Sequence, residues 1–107
     1  MGKGDAMSKV NILGTEYEFS EDLDDNSCDG MTDVYAKTMQ IKPKEKFFED
    51  DHDGKANDAR RDEVIIHEVC HAFFFESGLA DYCYDETLVG WLGKQIPKII
   101  AAVNAVV

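Results

Sequence analysis

The sequence has few cations, few prolines and few cysteines, and each shortage excludes a class of protein. Only 11 Lys and Arg accompany 22 Asp and Glu, so the net charge is −11 and the chain repels phosphate backbones and anionic lipid. We therefore expect no nucleic-acid partner and no membrane partner. Two prolines and eight glycines exclude a collagen-like or linker-dominated chain. The three cysteines, an odd number, do not form a disulfide framework, which favours a reduced, cytoplasmic protein.

Long apolar runs and targeting signals are also missing. The longest apolar stretch, residues 96–107, is shorter than the roughly 20 residues that cross a bilayer. The sequence begins without the apolar segment of a signal peptide. We interpret residues 1–9 as a flexible start or a tag remnant, and we expect a single domain over residues 10–107.

The first half of the chain is predicted to form strands. Residues 10–19 are rich in β-formers and predict a strand, with Gly14 as a turn or bulge. Residues 31–43 predict a hairpin or a bent strand pair that Pro43 closes. The acidic segments around them predict loops, so we expect a small antiparallel sheet of two or three strands.

The first predicted helix follows the strands and is the most apolar part of the chain. Asn57 or Asp58 fits its N-cap, and Gly78 stands just past its expected end. The middle of this helix is apolar nearly all round, which predicts burial on most of its sides. Phe73–Phe75 are therefore expected in the core.

A second helix is predicted from about residues 84–86 to about residue 105. Its apolar residues recur at spacings of three and four: Leu88, Leu92, Ile96, Ile99 and Val103. Pro97 lies inside this helix and is expected to kink or restart it. Gly90 is expected to let the two helices approach closely, and Trp91 is expected in the core.

The strongest chemical signal is the H-E-x-x-H motif formed by residues 67–71. Because residues i and i+4 lie on one face of a helix, His67 and His71 can bind one metal ion, and the expected ion is Zn²⁺. Glu68 lies about 100° further round the helix, where it can act on a water molecule bound to that ion. The alternative is that both histidines are hydrogen-bonded core residues.

The third metal ligand is left open by the spacing. A catalytic zinc usually has three protein ligands. The metzincin motif continues with a glycine and a third histidine, but the corresponding positions here hold Phe74 and Ser77, which excludes that class. Glu86 is preferred, because the helix that carries it can fold back antiparallel to the first. The absence of a third protein ligand stays open, and four other candidates remain: Asp85, Asp81, His52 and Cys28.

Most of the chain from Val10 onward resembles small H-E-x-x-H proteins encoded by bacteriophages and prophages. The segments that carry the resemblance are 10–19, 29–33, 65–79, 85–91 and 96–100. These relatives look like minimal zincins of the gluzincin kind, which implies a short sheet packed on the helix that carries the motif. The resemblance also implies that Glu68 is the general base and that three residues bind zinc: His67, His71 and Glu86. Such proteins often have an acidic residue where Gly90 stands here.

The resulting hypothesis is an α+β, zincin-like, zinc-dependent metallopeptidase acting on a peptide or protein of phage or host origin. Tyr84 is the preferred residue for stabilising the oxyanion, with Tyr82 and His52 as alternatives. Residues 38–42 are expected to be the sheet edge that pairs with an extended substrate. One competing hypothesis is a non-catalytic, zinc-stabilised binding protein, and another is an interaction module that binds no metal.

Overall fold

A computed structural model describes residues 7–107 and has an α+β architecture. The strands are β1 (Ser8–Ile12), β2 (Thr15–Ser20), β3 (Gly30–Asp33) and β4 (Thr38–Ile41). After a 3₁₀ turn at Lys44–Lys46 come the helices α1 (Lys55–Glu76), α2 (Ala80–Cys83) and α3 (Glu86–Val106). Residues 1–6 of the predicted flexible start lie outside the described residues, whereas Ser8 and Lys9 already belong to β1. Among the described residues, no helix combines the length and apolarity that a bilayer crossing requires.

The sheet has four strands in the order β1-β2-β4-β3, so the prediction of two or three antiparallel strands was wrong. Residues 10–19 form a hairpin rather than one strand, because the backbone turns at Leu13 and Gly14, both with positive φ. The predicted hairpin over 31–43 is confirmed as β3 and β4. The sheet is mixed, because β2 and β4 pair in parallel.

The core lies between one face of this sheet and α1. Its centre consists of Ile12, Tyr17, Met39 and Ala72. The sheet covers only one side of α1, so the expectation that Phe73–Phe75 lie in the core was wrong: Phe73 is 43% exposed and the other two are half-buried. Trp91 is also exposed, at 53%.

The start of α1 lies three or four residues before the predicted one. The helix begins at Lys55, with Gly54 in a left-handed conformation before it (φ 77°). Asn57 is not the N-cap. Its buried side chain accepts a hydrogen bond from the Phe48 N–H and donates one to the Phe48 carbonyl, which fixes the preceding loop to the helix.

The other end of α1 is fixed to the sheet through the Glu76 carboxylate. It accepts hydrogen bonds from Lys37 Nζ (2.7 Å), Tyr17 Oη (2.7 Å) and Thr15 Oγ1 (2.9 Å). These donors, with Lys37 and Tyr17 first, lower the pKa of Glu76 to about 2. Burial, followed by the neighbouring carboxylate, raises the pKa of Tyr17 above its ordinary value.

We expect Glu76→Gln to destabilise the protein at neutral pH and to matter progressively less in acid. The folded-state pKa of Glu76 is about 2 and lies below its ordinary value of 4.5, so the ionised carboxylate stabilises the fold fully above about pH 5.5. This contribution is lost as the pH falls toward 2. Urea unfolding of both proteins at pH 7 and at about pH 3 measures it. A stability difference that stays constant between the two pH values would contradict this role of Glu76.

α3 folds back against α1, and Gly93 makes the close approach that was predicted for Gly90. A Cβ atom at Gly93 would lie 3.2 Å from the Glu63 carbonyl oxygen and 3.5 Å from His67 Cβ. The same atom at Gly90 would have no neighbour within 4 Å. α3 is continuous through Pro97, so this proline does not end the helix.

The two glycines of α3 are expected to respond oppositely to substitution. Gly93→Val should cost about 1–3 kcal/mol in free energy of unfolding, because the added carbons push α3 away from α1. Gly90→Ala should stabilise by about 0.5–1 kcal/mol, because the space is open and alanine favours the helix. Chemical denaturation of both variants measures these values. A Gly93→Val protein as stable as Gly90→Ala would contradict the assigned packing.

Candidate metal centre

The structure brings His67, His71 and Glu86 together. The histidines lie one turn apart on α1, and Glu86 lies on the first turn of α3. Glu86 Oε1 is 3.0 Å from His67 Nε2, and Glu86 Oε2 is 3.3 Å from His71 Nε2. One ligand atom from each residue lies within 4.8 Å of the other two. Two imidazole nitrogens and one carboxylate oxygen form a known donor set of catalytic zinc sites, so these residues fit a zinc ion.

The chain between α1 and α3 directs Glu86 toward the histidines. Gly78 ends α1 with a positive φ of 85°, and the short helix α2 follows. Asp85 is the N-cap of α3, because its Oδ1 accepts a hydrogen bond from the Leu88 N–H at 3.0 Å. The Asp85 carboxylate is thus used for capping. Within residues 7–107, the metal-ligand group does not include the other candidates: Asp85, Asp81, His52 and Cys28.

His71 is oriented by a backbone carbonyl that the sequence did not predict. Its Nδ1 lies 2.6 Å from the carbonyl oxygen of Cys83 at the end of α2. A carbonyl can only accept, so Nδ1 carries the proton of this hydrogen bond, which leaves Nε2 as the nitrogen that could bind a metal ion. A four-residue helix has no periodicity to detect, so α2 and this contact were missed. Cys83 and Cys70 are both buried.

Glu68 lies beside the ligand group but turns toward β3. It is 5% exposed, and its Oε1 accepts a hydrogen bond from Thr32 Oγ1 at 2.7 Å. Burial raises the pKa of Glu68 above its ordinary value, although the Thr32 hydrogen bond opposes the shift. A Cβ at Gly30 would lie 2.8 Å from Glu68 Oε2 and 2.8 Å from Val64 Cγ1, so any other residue there would displace these side chains. Sequence reasoning missed Thr32, because a single threonine in a strand carries no functional signal.

A cleft of about 210 Å³ opens at these residues. β3 and the segment after it form one wall, α1 contributes both histidines and Glu68, and Tyr84 and Glu86 close the other side. Tyr84 is exposed, and partial desolvation together with the nearby Tyr35 raises the pKa of its hydroxyl. Neither Tyr82 nor His52, the alternative candidates for oxyanion stabilisation, lines this cleft.

The sheet edge beside the cleft is β3. The prediction that residues 38–42 form this edge was wrong, because β4 lies between β2 and β3. The Lys42 N–H donates a hydrogen bond to the Asp29 carbonyl at 3.0 Å, so these two residues form a hydrogen-bonded pair of β3 and β4. Along two antiparallel strands, hydrogen-bonded residue pairs alternate with pairs that share no hydrogen bond, and Gly30 and Thr32 fall in the second kind. The backbone N–H and C=O groups of Gly30 and Thr32 therefore face away from β4.

Comparisons of the chain with protein-family models, with curated proteins and with solved structures returned no match. The resemblance to small phage-encoded H-E-x-x-H proteins and the zincin-like character of the fold therefore stay predictions. The structure itself shows the α+β architecture, and it brings α1 and α3 together at His67, His71 and Glu86.

Proposed function

We propose that the protein is a zinc-dependent metallopeptidase whose zinc ligands are His67, His71 and Glu86. The observation that carries the proposal is the convergence of Glu86 on both Nε2 atoms, while Glu68 stays out of that group and lies buried beside it. A bound zinc ion supplies a Lewis acid that polarises a peptide carbonyl and lowers the pKa of a water molecule to about 7.

Glu68 acts as the general base that takes up the proton of the hydrolytic water. Burial raises its pKa, and a carboxylate with a raised pKa accepts a proton more readily at neutral pH. The hydrogen bond from Thr32 holds Oε1, which leaves Oε2, beside Gly30, for the proton. Thr32 is therefore a positioning residue for the base.

The substrate is an extended peptide that pairs with the open edge of β3. The free backbone groups of Gly30 and Thr32 can bind its main chain, which places the peptide along the cleft. Tyr84 lies at the opposite wall and donates its hydroxyl proton in a hydrogen bond to the oxyanion. Tyrosine keeps its hydroxyl proton at neutral pH, and the pKa of Tyr84 is raised further above its ordinary value of 10.0.

Zinc titration and peptide cleavage together test the proposal. Calorimetric titration of the metal-free chain is expected to give about one Zn²⁺ per chain. The zinc-loaded protein, but not the metal-free protein, should cleave members of a mixed peptide library. His71→Ala should lose both properties, whereas His52→Ala, which removes the histidine outside the site, should keep both. A wild-type chain that binds no zinc, or that binds zinc and cleaves no peptide in the library, would contradict the proposal.

A non-catalytic, zinc-stabilised binding protein is the second candidate, and the size of the cleft favours it. The cleft of about 210 Å³ is smaller than the roughly 300–1,000 Å³ of typical ligand pockets. In this role zinc would join α1 to α3 and raise the stability of the fold without supporting hydrolysis. Retention of every cellular effect by Glu68→Gln would favour this candidate over the peptidase.

A further inference from the structure

The cleft at the metal centre continues past Glu68 into a second cavity of about 120 Å³. Gly30, His67 and Glu68 line both spaces. The lining of the second cavity also includes Asp29, which directly precedes β3, and Arg60, which lies on α1. The space between β3 and α1 therefore extends from the ligand group to Asp29 and Arg60.

An ion pair joins β3 to α1 in this second cavity. Arg60 Nε and Nη2 both donate to Asp29 Oδ2, at 3.0 Å and 2.9 Å. Lys42, directly after β4, also holds Asp29: its Nζ lies 3.4 Å from Asp29 Oδ1, and its N–H donates to the Asp29 carbonyl at 3.0 Å. Asp29 is thus fixed between α1 and the end of β4, and Gly30, the first residue of β3, follows it directly.

Little room separates β3 from the Glu68 side chain. A Cβ at Gly30 would lie 2.8 Å from Glu68 Oε2, and Thr32 Oγ1 donates to Glu68 Oε1 at 2.7 Å. Thr32 therefore ties the far part of the strand to Glu68, whereas Asp29 and Arg60 tie its beginning to α1. Loss of the ion pair would free the Gly30 end of β3 to move away from Glu68, while the Thr32 contact stays in place.

We propose that Arg60 is a positioning residue that holds the Gly30 end of the open β3 edge at the distance from Glu68 at which an extended peptide binds. The inference rests on the proposed peptidase function, in which the free backbone groups of Gly30 and Thr32 pair with the main chain of the substrate. Arg60 acts through Asp29 and takes no part in proton transfer. Its rigid guanidinium restricts both the distance and the direction of the carboxylate that it binds.

Arg60→Gln is expected to raise KM for a cleaved library peptide about 10-fold and to leave kcat within about 3-fold of wild type, because binding is lost equally from the substrate and the transition state. The peptide pairs less well with Gly30, whereas Glu68 keeps its hydrogen bond from Thr32. Asp29→Ala should have a similar effect. The double variant should be no worse than either single variant, because both substitutions remove the same ion pair.

Arg61→Gln is the matched control. Arg61 is the next residue of α1, its side chain is 34% exposed against 35% for Arg60, and it also donates Nε and Nη2 to a carboxylate, that of Glu21 after β2. Among the described residues that line the cleft and the second cavity, neither Arg61 nor Glu21 is present. Urea unfolding should show a comparable loss of stability in both variants, whereas KM should rise only in Arg60→Gln. Equal KM values in the two variants would overturn the positioning role.

Amide hydrogen exchange separates a failure of this inference from a failure of the peptidase proposal, because it needs no hydrolysis. Met31 and Gln40 form the next hydrogen-bonded pair of β3 and β4 after Asp29 and Lys42. Exchange of the Met31 N–H should be at least about 5-fold faster in Arg60→Gln than in Arg61→Gln, whose similar loss of stability accounts for global unfolding. Equal exchange in the two variants would overturn the inference even if wild type cleaves peptides. A wild type that cleaves no peptide would overturn the peptidase proposal, and the exchange comparison would still decide whether Arg60 holds β3.

Discussion

Replacing Glu68 with Gln is expected to lower kcat/KM for peptide hydrolysis by about 10²–10⁴-fold while zinc stays bound. Gln has nearly the shape of Glu, and its amide oxygen can still accept the hydrogen bond that Thr32 donates at 2.7 Å. It cannot take up the proton of the hydrolytic water. Elemental analysis for zinc and steady-state kinetics on a cleaved library peptide measure the two effects separately.

Glu63→Gln is the matched control for this substitution. Glu63 lies on the same helix one turn before His67, and its side chain pairs with Arg60 rather than with the ligand group. The control should keep its activity within a few-fold of wild type. A Glu68→Gln protein that retains more than about half of the activity would exclude Glu68 as the general base.

Removing Glu86 is expected to weaken zinc binding at least about 100-fold. Loss of a residue that only hydrogen-bonds to a zinc ligand already weakens metal binding by about 10–100-fold, and loss of a ligand itself should cost at least as much. Glu86→Ala leaves the two histidines without the carboxylate that lies 3.0 Å and 3.3 Å from their Nε2 atoms. Competition with a chromophoric zinc chelator measures the change in affinity.

Asp85→Asn provides the control, because it neutralises the neighbouring carboxylate that was a rival for the third ligand. Asn caps a helix as well as Asp, so α3 should keep its start and its position. Zinc affinity should stay within a few-fold of wild type. The reverse result, with Asp85→Asn weaker and Glu86→Ala unchanged, would assign the third ligand to Asp85.

Features that depend on local geometry were predictable from the sequence. The i, i+4 spacing of His67 and His71 fixes their shared face once the segment is helical, and the extent of both long helices was predicted to within about four residues. The choice of Glu86 over its neighbours agrees with the group that the structure assembles. The sequence supported this choice because the helix that carries Glu86 can fold back antiparallel to the first, whereas the capping role of Asp85 came only from the structure.

Features that depend on tertiary contacts were not predictable. Alternating side chains do not encode strand direction, so the parallel pairing of β2 with β4 and the edge position of β3 were missed. Gly90 and Gly93 look alike in the sequence, yet only Gly93 touches α1. Trp91 was predicted in the core because it is apolar, but its exposure depends on where α3 crosses α1.

The most direct test of the account is a crystal structure of the chain grown with Zn²⁺. We predict one ion bound by His67 Nε2, His71 Nε2 and a Glu86 carboxylate oxygen at about 2.0–2.2 Å, with Glu68 outside the first coordination shell. An ion bound elsewhere, or imidazoles hydrogen-bonded within the protein with no ion between them, would contradict the account.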